Sequence, residues 1–593
     1  MPNSNNDENK TIAVIGAGVM GLVFALLLKE FFGDEFEVVI FEAREEPLKG
    51  SSDGTPNRMG LGYHYPDIAT ALLYQKYTIE FAKKFPDCIT KDDKKGEYYI
   101  NPRSLVQVSD LLAVYEQISE KFRQYAEEDP DIKNIFGDDS FGSHRFMRRG
   151  EIPKHINADE VAVGLKTTEK TLDFEQFSKT ILEKLEKFNV KIRCGTKITR
   201  IIKKVNEKGH GFELGYNQDV MVEKKRKKLA DESRPEGEFY ADYVVECTWN
   251  NSRKIVDQYV ADNNLPPPNI PNFSQRLKIL LVVKLPPLLL KMNHAFFCVG
   301  PFAMVTNEAD QSRGKELAKV TYAPITNVLG SDEIDGCKDE ERKELWSDIY
   351  QKLGRNITRE EWDELVNNDG ITDDMLRVIG PEIIKGVAKY IPDMLKATAI
   401  KLNAGYVLST QCGDQEISSK NSMIHKRSES GINIVTDGIW SAKAMKLFGC
   451  VTAGKELIEM AFPVESKQRK IELDSKAKHK EFVEKFSMIC KSLNRAEDQN
   501  ITPSEIRNFE NVFNSGCEYN QRNTSRTPSS SSFLQQHGSP TSSLSPSASP
   551  LSPSCSRRKR RRTTDDEQGA GEVLLVNALM NDGKDLRSSA RGI

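Results

Sequence analysis

The sequence predicts an α/β protein with a parallel sheet at its N-terminus and a second, mixed or antiparallel sheet. Three observations support this: a strand–glycine turn–helix–strand unit in residues 11–42, short alternating segments between residues 152 and 306, and another glycine turn at Gly438. The chain has 593 residues, of which 38% are hydrophobic, so it can form more than one folded unit with a sizeable core.

The N-terminal unit carries three glycines in the spacing G-x-G-x-x-G. Gly16 permits a tight turn, Gly18 lets a phosphate approach the backbone, and Gly21 lets the helix pack close to the strand. Glu42 ends the second strand about 20 residues later, where an acid accepts hydrogen bonds from a ribose. The alternative is a buried unit of the same shape that has lost its ligand. The unit predicts a Rossmann-like dinucleotide site formed by Gly16, Ala17, Gly18, Val19, Met20, Gly21, Glu42, Ala43 and Arg44.

Two features favour FAD over NAD. The glycine unit lies at the extreme N-terminus, as in flavoenzymes whose FAD-binding domain is divided along the chain, and a second piece follows at residues 431–459. That piece predicts a short strand, a turn at Gly438 and an apolar helix whose N-terminus faces the flavin. Trp440, Ser441 and Lys443 would then lie near the pyrimidine end of the flavin, where a lysine stabilises an anionic reduced ring. An ordinary strand–turn–helix that closes a sheet is the alternative.

The predicted domains alternate along the chain because the FAD-binding domain is split. In chain order they are a polar N-terminus (1–10), a first FAD-binding segment (11–85), a first, mixed substrate-domain segment (86–172), a second FAD-binding segment (173–252), a second substrate-domain segment with a helical insertion (253–430), a third FAD-binding segment (431–463), a charged helical extension (464–518) and a disordered Ser/Pro-rich tail (519–593). Periodicity further predicts a helix over residues 67–85 and strands over 97–100 and 105–108.

The composition argues against several functions. The formal net charge of −3 predicts no general attraction to nucleic acid or membrane, and no apolar stretch reaches the roughly 20 residues needed to span a bilayer. The ten cysteines form no C-x-x-C pair and no His/Cys cluster. Neither a metal site nor a disulfide framework is therefore predicted, and a cytoplasmic, reducing location is favoured.

The C-terminal tail differs in composition from the rest of the chain. Residues 524–556 are dense in serine and proline, and a basic run follows from Arg557 to Arg562. This run resembles a nuclear localisation signal, which predicts a nuclear import receptor as partner and a nuclear location besides the cytoplasm. The alternative is a solvated charge run in a disordered tail.

The order of these segments resembles the FAD-dependent oxidoreductases of the D-amino-acid oxidase and glycine oxidase type, the DAO superfamily. Residues 57–66, NRMGLGYHYP, are most similar to members that carry the segment N-R-x-H-x-G-[FY]-H-Y-P. The resemblance implies a second, substrate-binding sheet, an extended FAD, and a substrate that binds over the flavin and loses a hydride. The residues that carry the likeness or would contact FAD by it are the glycine triplet, Glu42, Ser51, Ser52, Asn57, Thr248, Trp249 and Gly438.

The chain departs from this family pattern at three places. Gly60 stands where a histidine is expected, and Asp67 stands where an arginine is common. Residues 247–249, Cys-Thr-Trp, replace the usual Ala-Thr-Gly. Because Gly60 and Asp67 lie where the loop should approach the flavin, they bear on both substrate and activity.

The same segment supplies the catalytic candidates. His64 is predicted to act as a base or to polarise the substrate, since an unperturbed histidine pKa of about 6.5 suits proton transfer at neutral pH. The alternative is a histidine bonded to backbone beneath the flavin. Arg58 either holds a substrate carboxylate or flavin phosphate by a bidentate pair, or forms a structural ion pair. Tyr65 and Tyr63 either wall the substrate pocket or pack in the core.

The resulting prediction is an FAD-dependent oxidoreductase, an oxidase or dehydrogenase. It would take a hydride from a C–N or C–O bond of a small polar substrate such as an amino acid, amine or hydroxy acid. An aromatic-ring monooxygenase would carry Gly-Asp-Ala-Ala-His where residues 436–439 read Thr-Asp-Gly-Ile, and a flavin amine oxidase acting on chromatin would carry Gly-Gly-Arg near residues 45–50. The non-enzyme alternative is a non-catalytic flavoprotein or scaffold whose basic tail is the working part.

Overall fold

The folded part of the chain is described by a computed structural model. It describes residues 10–53, 55–91, 93–137, 143–206, 209–218, 236–268, 270, 273–328, 340–367, 372–410, 431–443, 446–470, 473 and 480. All of these lie in the first of two units, residues 1–490. The predictions for most of the 464–518 extension, for the tail and for the run from Arg557 to Arg562 lie outside the described residues.

The α-helices alternate with strands along most of the described chain. Among these helices, none combines the length and apolar character that crossing a bilayer requires. They are α1 (Val19–Phe32), α2 (Ile68–Lys84), α3 (Val108–Glu128), α4 (Asp131–Phe136), α5 (Phe174–Lys187), α6 (Ser252–Asp262), α7 (Ala323–Thr326), α8 (Glu340–Leu353), α9 (Arg359–Asn367), α10 (Asp373–Ala388) and α11 (Cys450–Ala461).

The strands form four sheets of six, nine, three and two strands in the described chain. They are β1 (Lys10–Ile15), β2 (Phe36–Phe41), β3 (Arg58–Met59), β4 (Gly96–Ile100), β5 (His144–Phe146), β6 (Val163–Thr167), β7 (Lys170–Thr171), β8 (Lys191–Arg193), β9 (Thr196–Asn206), β10 (Gly209–Gln218), β11 (Glu236–Ala241), β12 (Tyr243–Glu246), β13 (Phe273–Lys284), β14 (His294–Cys298), β15 (Ala303–Asn307), β16 (Leu317–Tyr322), β17 (Asn327–Val328), β18 (Thr398–Thr410), β19 (Gly431–Thr436) and β20 (Ile439–Lys443).

The N-terminal glycine unit builds the centre of the six-stranded sheet. Its order is β19–β20–β12–β1–β2–β8, in which only β19, at one edge, is antiparallel to its neighbour. Strands β1 and β2 pair from Lys10 opposite Phe36 to Ile15 opposite Phe41. Because parallel strands end at the same edge of a sheet, the loops after β1, β2, β12 and β20 converge there.

Helix α1 packs on this sheet between α5 and α11. Twelve of its 14 residues are buried, as expected of a helix that is apolar all round. It begins directly after Gly18, which has no side chain to cap the N-terminus. The glycine turn therefore leads into a helix whose first turn is open to a ligand at the convergent edge.

The second large sheet is mixed. Its order is β17–β13–β16–β15–β14–β4–β6–β5, and β18 also pairs with β13; β4 and β14 are parallel, whereas the other pairs are antiparallel. A smaller antiparallel sheet, β11–β10–β9, packs beside the six-stranded sheet. The predicted α/β class, with a Rossmann-like sheet and a second mixed sheet, is confirmed.

Two local predictions are wrong. Residues 105–108 form no strand, because a turn at Asn101 redirects the chain: its side-chain oxygen accepts the Arg103 backbone N–H at 2.9 Å, and α3 begins at Val108. Gly438, with φ of +81°, turns the β19–β20 hairpin instead of starting a helix. Residues 439–443 are all buried, and 439–441 pair with β12. This segment is therefore a strand, and the helix begins only at Cys450.

Asp67, one of the departures from the family pattern, has a structural role. It is the N-cap of α2, and its carboxylate accepts from the backbone N–H of Thr70 at 3.0 Å and from its hydroxyl at 2.6 Å. This confirms the helix predicted over residues 67–85, which runs to Lys84. An N-cap aspartate stabilises a helix by about 1 kcal/mol.

His294, on β14, is buried and held neutral. Its Nδ1 accepts the backbone N–H of Asn307 at 3.1 Å, and burial, with Lys94 and Arg58 nearby, lowers its pKa to about 3. In the unfolded chain His294 is protonated below about pH 6.5, whereas in the native state it is protonated only below about pH 3. Between these values stability therefore rises with pH.

Between pH 6.5 and 5 we expect His294 to lower the free energy of unfolding by about 2 kcal/mol, because its contribution changes by ~1.4 kcal/mol per pH unit. The measurement is urea denaturation followed by circular dichroism across this range. The matched control is His294→Asn, which keeps an acceptor for Asn307 but does not titrate. An unchanged slope in that variant would contradict the assignment.

Candidate active site

A cavity of about 990 Å³ opens at the convergent edge of the six-stranded sheet. One wall comes from the loops after β1, β2 and β12, and the opposite wall from β13–β16 and β18 of the mixed sheet. This volume lies at the upper end of the range for small-molecule sites, which suits an extended ligand together with a smaller one.

The glycine turn forms the floor of the cavity. Gly16 has φ of +106° and its N–H donates to the Phe41 carbonyl at 2.7 Å, which joins the ends of β1 and β2. A Cβ on Gly21 would lie 2.1 Å from the Gly16 carbonyl oxygen, so only glycine permits this approach of α1. A Cβ on Gly18 would meet only the Ser52 hydroxyl, at 3.6 Å, and Gly18 faces the cavity.

Glu42 ties the end of β2 to this turn. One carboxylate oxygen accepts the Ala17 N–H at 2.8 Å, and the other accepts the Arg44 N–H at 2.9 Å. Arg44 in turn donates from Nη2 to the Val366 carbonyl at 2.9 Å, at the end of α9. The helical insertion therefore contributes to the cavity wall beside Glu42.

The loop of residues 52–57 continues the wall. The Ser52 hydroxyl lies 3.3 Å from the Val19 N–H, at the open end of α1. Asn57 has φ of +56°, and its amide donates to Glu308 at 3.0 Å, while its oxygen accepts from Thr55 at 2.7 Å. These bonds hold Asn57 in the left-handed region, and both Ser52 and Asn57 line the cavity.

The loop after β12 is held by a buried carboxylate, Glu246. It accepts the Thr248 N–H and hydroxyl, both at 2.5 Å, and the hydroxyls of Ser252 and Ser441. Trp249 has φ of +62°, and its indole donates to the Tyr406 carbonyl at 2.8 Å. Such backbone strain costs about 1–3 kcal/mol and persists because these bonds fix the loop.

The inner end of the cavity is cationic and aromatic. Arg58 lies on Phe296, with Cζ 4.4 Å from the ring centroid, and 5.2 Å from that of Tyr98. Burial by itself would lower the pKa of Arg58, but Tyr98 and Glu169 raise it overall. The His64 ring meets Phe296 edge to face at 4.5 Å. Arg58, His64 and Phe296 all line the cavity.

A second cation, Lys446, enters from the loop between β20 and α11. Its Nζ lies 4.6 Å from the ring centroid of Tyr65 and 4.8 Å from that of Tyr74, and the two rings are stacked. Cation–π contacts of this kind stabilise the position of an ammonium group by about 0.5–2 kcal/mol. Lys446 lines the cavity, so two cations face its inner end.

The family comparison assigns the first half of this architecture. Residues 11–291 match the family model described as FAD dependent oxidoreductase, DAO. Residues 11–291 therefore form a DAO-type FAD-dependent oxidoreductase domain. Its cofactor is therefore FAD, as the glycine unit predicted, and the cavity contains the matching loops. A search among curated proteins found no match.

The solved structures with a similar fold include a dehydrogenase, an oxidase and a deaminase by their names. They include an L-proline dehydrogenase from P. horikoshii, with 12% identity, a TM-score of 0.47 and coverage of 77% of this chain and 94% of that one. A glycine oxidase from Geobacillus kaustophilus has 11% identity, a TM-score of 0.45 and coverage of 76% and 95%. An L-amino acid deaminase from Proteus vulgaris has 12% identity, a TM-score of 0.47 and coverage of 77% and 94%.

The donor set fits FAD. The N-terminus of α1 and the bare Gly18 backbone line the cavity, which suits a pyrophosphate. Most predicted FAD-binding residues share this cavity. Those that line it are Gly16, Gly18, Val19, Met20, Glu42, Ala43, Arg44, Ser52, Asn57, Thr248 and Trp249, together with the catalytic candidates Arg58 and His64.

The remaining predicted site residues lie elsewhere. Ala17 and Gly21 support the turn from behind. Tyr65 is buried beside Lys446 and does not line the cavity, and its predicted catalytic role stays a prediction. Four residues of the hairpin do not line the cavity, since β19–β20 places them within or beyond the sheet: Gly438, Trp440, Ser441 and Lys443.

Lys443 lies at the end of β20 and does not line the cavity. It is buried, its Nζ donates to the Ser441 hydroxyl at 2.8 Å, and burial lowers its pKa despite the opposing effect of Glu246. Lys446, three residues later, lines the cavity, whereas Lys443 does not. If residues 439–443 are interpreted as a buried strand, Lys446, in the loop that follows, becomes the lysine expected at the cavity. No local signal pointed to Glu169, Tyr98 or Phe296.

Proposed function

We propose that the chain oxidises a C–N or C–O bond of a small polar substrate that carries a carboxylate, an amino acid or hydroxy acid. The observation that supports this is a single cavity whose floor is the FAD-type glycine turn and whose inner end holds Arg58 and Lys446 against an aromatic wall. Cations over aromatic rings bind a carboxylate strongly where water is excluded.

The FAD would be held along the outer part of this cavity. The glycine turn and the N-terminus of α1 would bind its pyrophosphate, and Glu42 its ribose. Ser52, Asn57, Thr248 and Trp249 would complete the contacts. When bound, FAD supplies the redox chemistry by accepting a hydride, and the protein supplies orientation and electrostatics.

The substrate would be held by its carboxylate. Arg58 offers a planar guanidinium for a bidentate pair, and Lys446 offers a second, point-like charge. Phe296 restricts the motion of Arg58 by lying against its guanidinium. These three residues would orient the substrate so that its reacting carbon faces the outer part of the cavity.

The proton released with the substrate's bond oxidation needs an acceptor. His64 is the only histidine among the described residues that line the cavity. Its imidazole ring would accept the proton from an amine or hydroxyl. General-base catalysis of this kind raises a rate by about 100- to 10,000-fold.

The test is substrate-dependent bleaching of the FAD absorbance of the purified chain under anaerobic conditions. We expect bleaching with α-amino acids or α-hydroxy acids and none with the matched amines or alcohols that lack a carboxylate. Acid precipitation, which releases non-covalent FAD into the supernatant, controls for the mode of binding.

Bleaching by amines alone would refute the carboxylate site. An FAD-loaded protein that no member of the panel bleaches would favour the alternative of a non-catalytic flavoprotein. Consumption of NADPH would instead favour a monooxygenase.

The C-terminal tail would direct part of the protein to the nucleus. We retain the prediction that the basic run from Arg557 to Arg562 binds a nuclear import receptor, which would allow a nuclear as well as a cytoplasmic pool. Its support is the sequence alone.

A further inference from the structure

Glu169 lies directly behind the inner end of the cavity. It is fully buried between β6 and β7, and β7 pairs with β3, which contains Arg58. One carboxylate oxygen accepts the Leu61 N–H at 2.5 Å, and Tyr98 donates its hydroxyl to both oxygens, at 3.0 and 2.8 Å. The carboxylate therefore fixes the segment that presents Arg58 to the cavity.

Tyr98 links this carboxylate to the guanidinium. Its hydroxyl bonds Glu169, while its ring lies 5.2 Å from the Arg58 Cζ. Burial holds the pKa of Tyr98 well above its usual value, so the hydroxyl stays a donor. Loss of the carboxylate would release both the ring under Arg58 and the loop that carries it.

Gly60 leaves no side chain between the two charges. A Cβ at this position would lie 3.7 Å from Glu169 Oε1 and 3.9 Å from Arg58 Nη2. At Gly60, one of the departures from the family pattern, the carboxylate and the guanidinium therefore both border the space that a Cβ would occupy. Their attraction acts in a buried environment, where charges interact more strongly than in water.

The charge of Glu169 depends on the cations of the cavity. Burial raises its pKa, whereas Arg58, the Leu61 N–H and Lys446 lower it in part. A buried carboxylate without such partners would be costly, so Glu169 and the two cations form one charge set. One negative charge behind two positive ones leaves an excess cation for an incoming anion.

We propose that Glu169 is a positioning residue that holds the Arg58 guanidinium in the orientation that binds the substrate's anionic group. This inference rests on the proposed function, because it assumes that Arg58 binds a carboxylate. Glu169 itself does not touch the cavity in the described structure. It acts through Arg58, through Tyr98 and through the backbone of Leu61.

The test uses FAD-loaded full-length protein and two probes, propionate and its neutral analogue propionamide, titrated against the flavin spectrum. Glu169→Gln keeps an acceptor for Leu61 but removes the charge. We expect propionate binding to weaken about 10-fold, with propionamide binding and FAD content unchanged. The matched control is Glu97→Gln, another buried carboxylate that accepts a tyrosine hydroxyl, from Tyr99 at 2.5 Å on the other side of β4.

A double-mutant cycle with Arg58→Met separates positioning from a general structural effect. If Glu169 acts through Arg58, Glu169→Gln has no further effect on propionate binding in the Arg58→Met background. Additive losses, or a Glu169→Gln variant that binds propionate as well as or better than the native protein, would overturn the inference. If Arg58→Met leaves propionate binding unchanged, the proposed carboxylate site itself fails.

Discussion

Gly21→Ala is expected to bind FAD about 100-fold more weakly than the native protein. A Cβ at this position would lie 2.1 Å from the Gly16 carbonyl oxygen, so α1 must move away from the end of β1. Overpacking of this kind costs about 1–3 kcal/mol, and 3 kcal/mol corresponds to roughly 100-fold in affinity. The measurement is the FAD content of the purified variant and its dissociation constant on reconstitution.

Two further glycine variants separate FAD binding from folding. Gly18→Ala adds a methyl group that meets only Ser52, at 3.6 Å, so the fold should persist while the methyl group projects toward the pyrophosphate. Gly150→Ala, where no atom lies within 4 Å, is the neutral control. A Gly18→Ala protein that folds and retains full FAD affinity would show that the pyrophosphate does not lie on this turn.

Arg58→Met is expected to reduce kcat/KM for carboxylate-bearing substrates by about 100- to 1,000-fold while FAD stays bound. Removal of one partner from a buried, charge-assisted pair costs about 2–5 kcal/mol, and methionine keeps the contact with Phe296 that positions the chain. The measurement is steady-state kinetics with an amino acid and with the matched amine. The loss should be confined to the amino acid, because only it presents a carboxylate.

Arg145→Met is the control for this experiment. Arg145 is a half-exposed arginine that pairs with Glu151 at 3.0 Å and does not line the cavity. We expect its kinetics to remain within twofold of the native values. An equal loss for the amino acid and the amine in Arg58→Met would instead mean that Arg58 acts on the cofactor or on the fold.

Local patterns predicted the nucleotide-binding region of this fold well. The strand–turn–helix–strand unit lies where its glycines and Glu42 indicated, and the helix predicted from residue 67 begins at Ile68, after its Asp67 cap. These signals act over a few residues, through turn geometry and capping, so the sequence contains them directly. The same local view misread Gly438, because the pairing of β20 with β12 is a long-range event.

From the sequence came the prediction of the dinucleotide site, the FAD-dependent oxidoreductase domain and the loop that carries Arg58 and His64. Only the tertiary structure decided which side chains face one another at the inner end of the cavity. Lys446 comes from a loop after β20 and Glu169 from the turn before β7. Lys446 lines the same cavity as Arg58, and Glu169 lies behind it, because distant strands pair. Pairing of distant strands depends on the packing of whole sheets, which no short sequence window encodes.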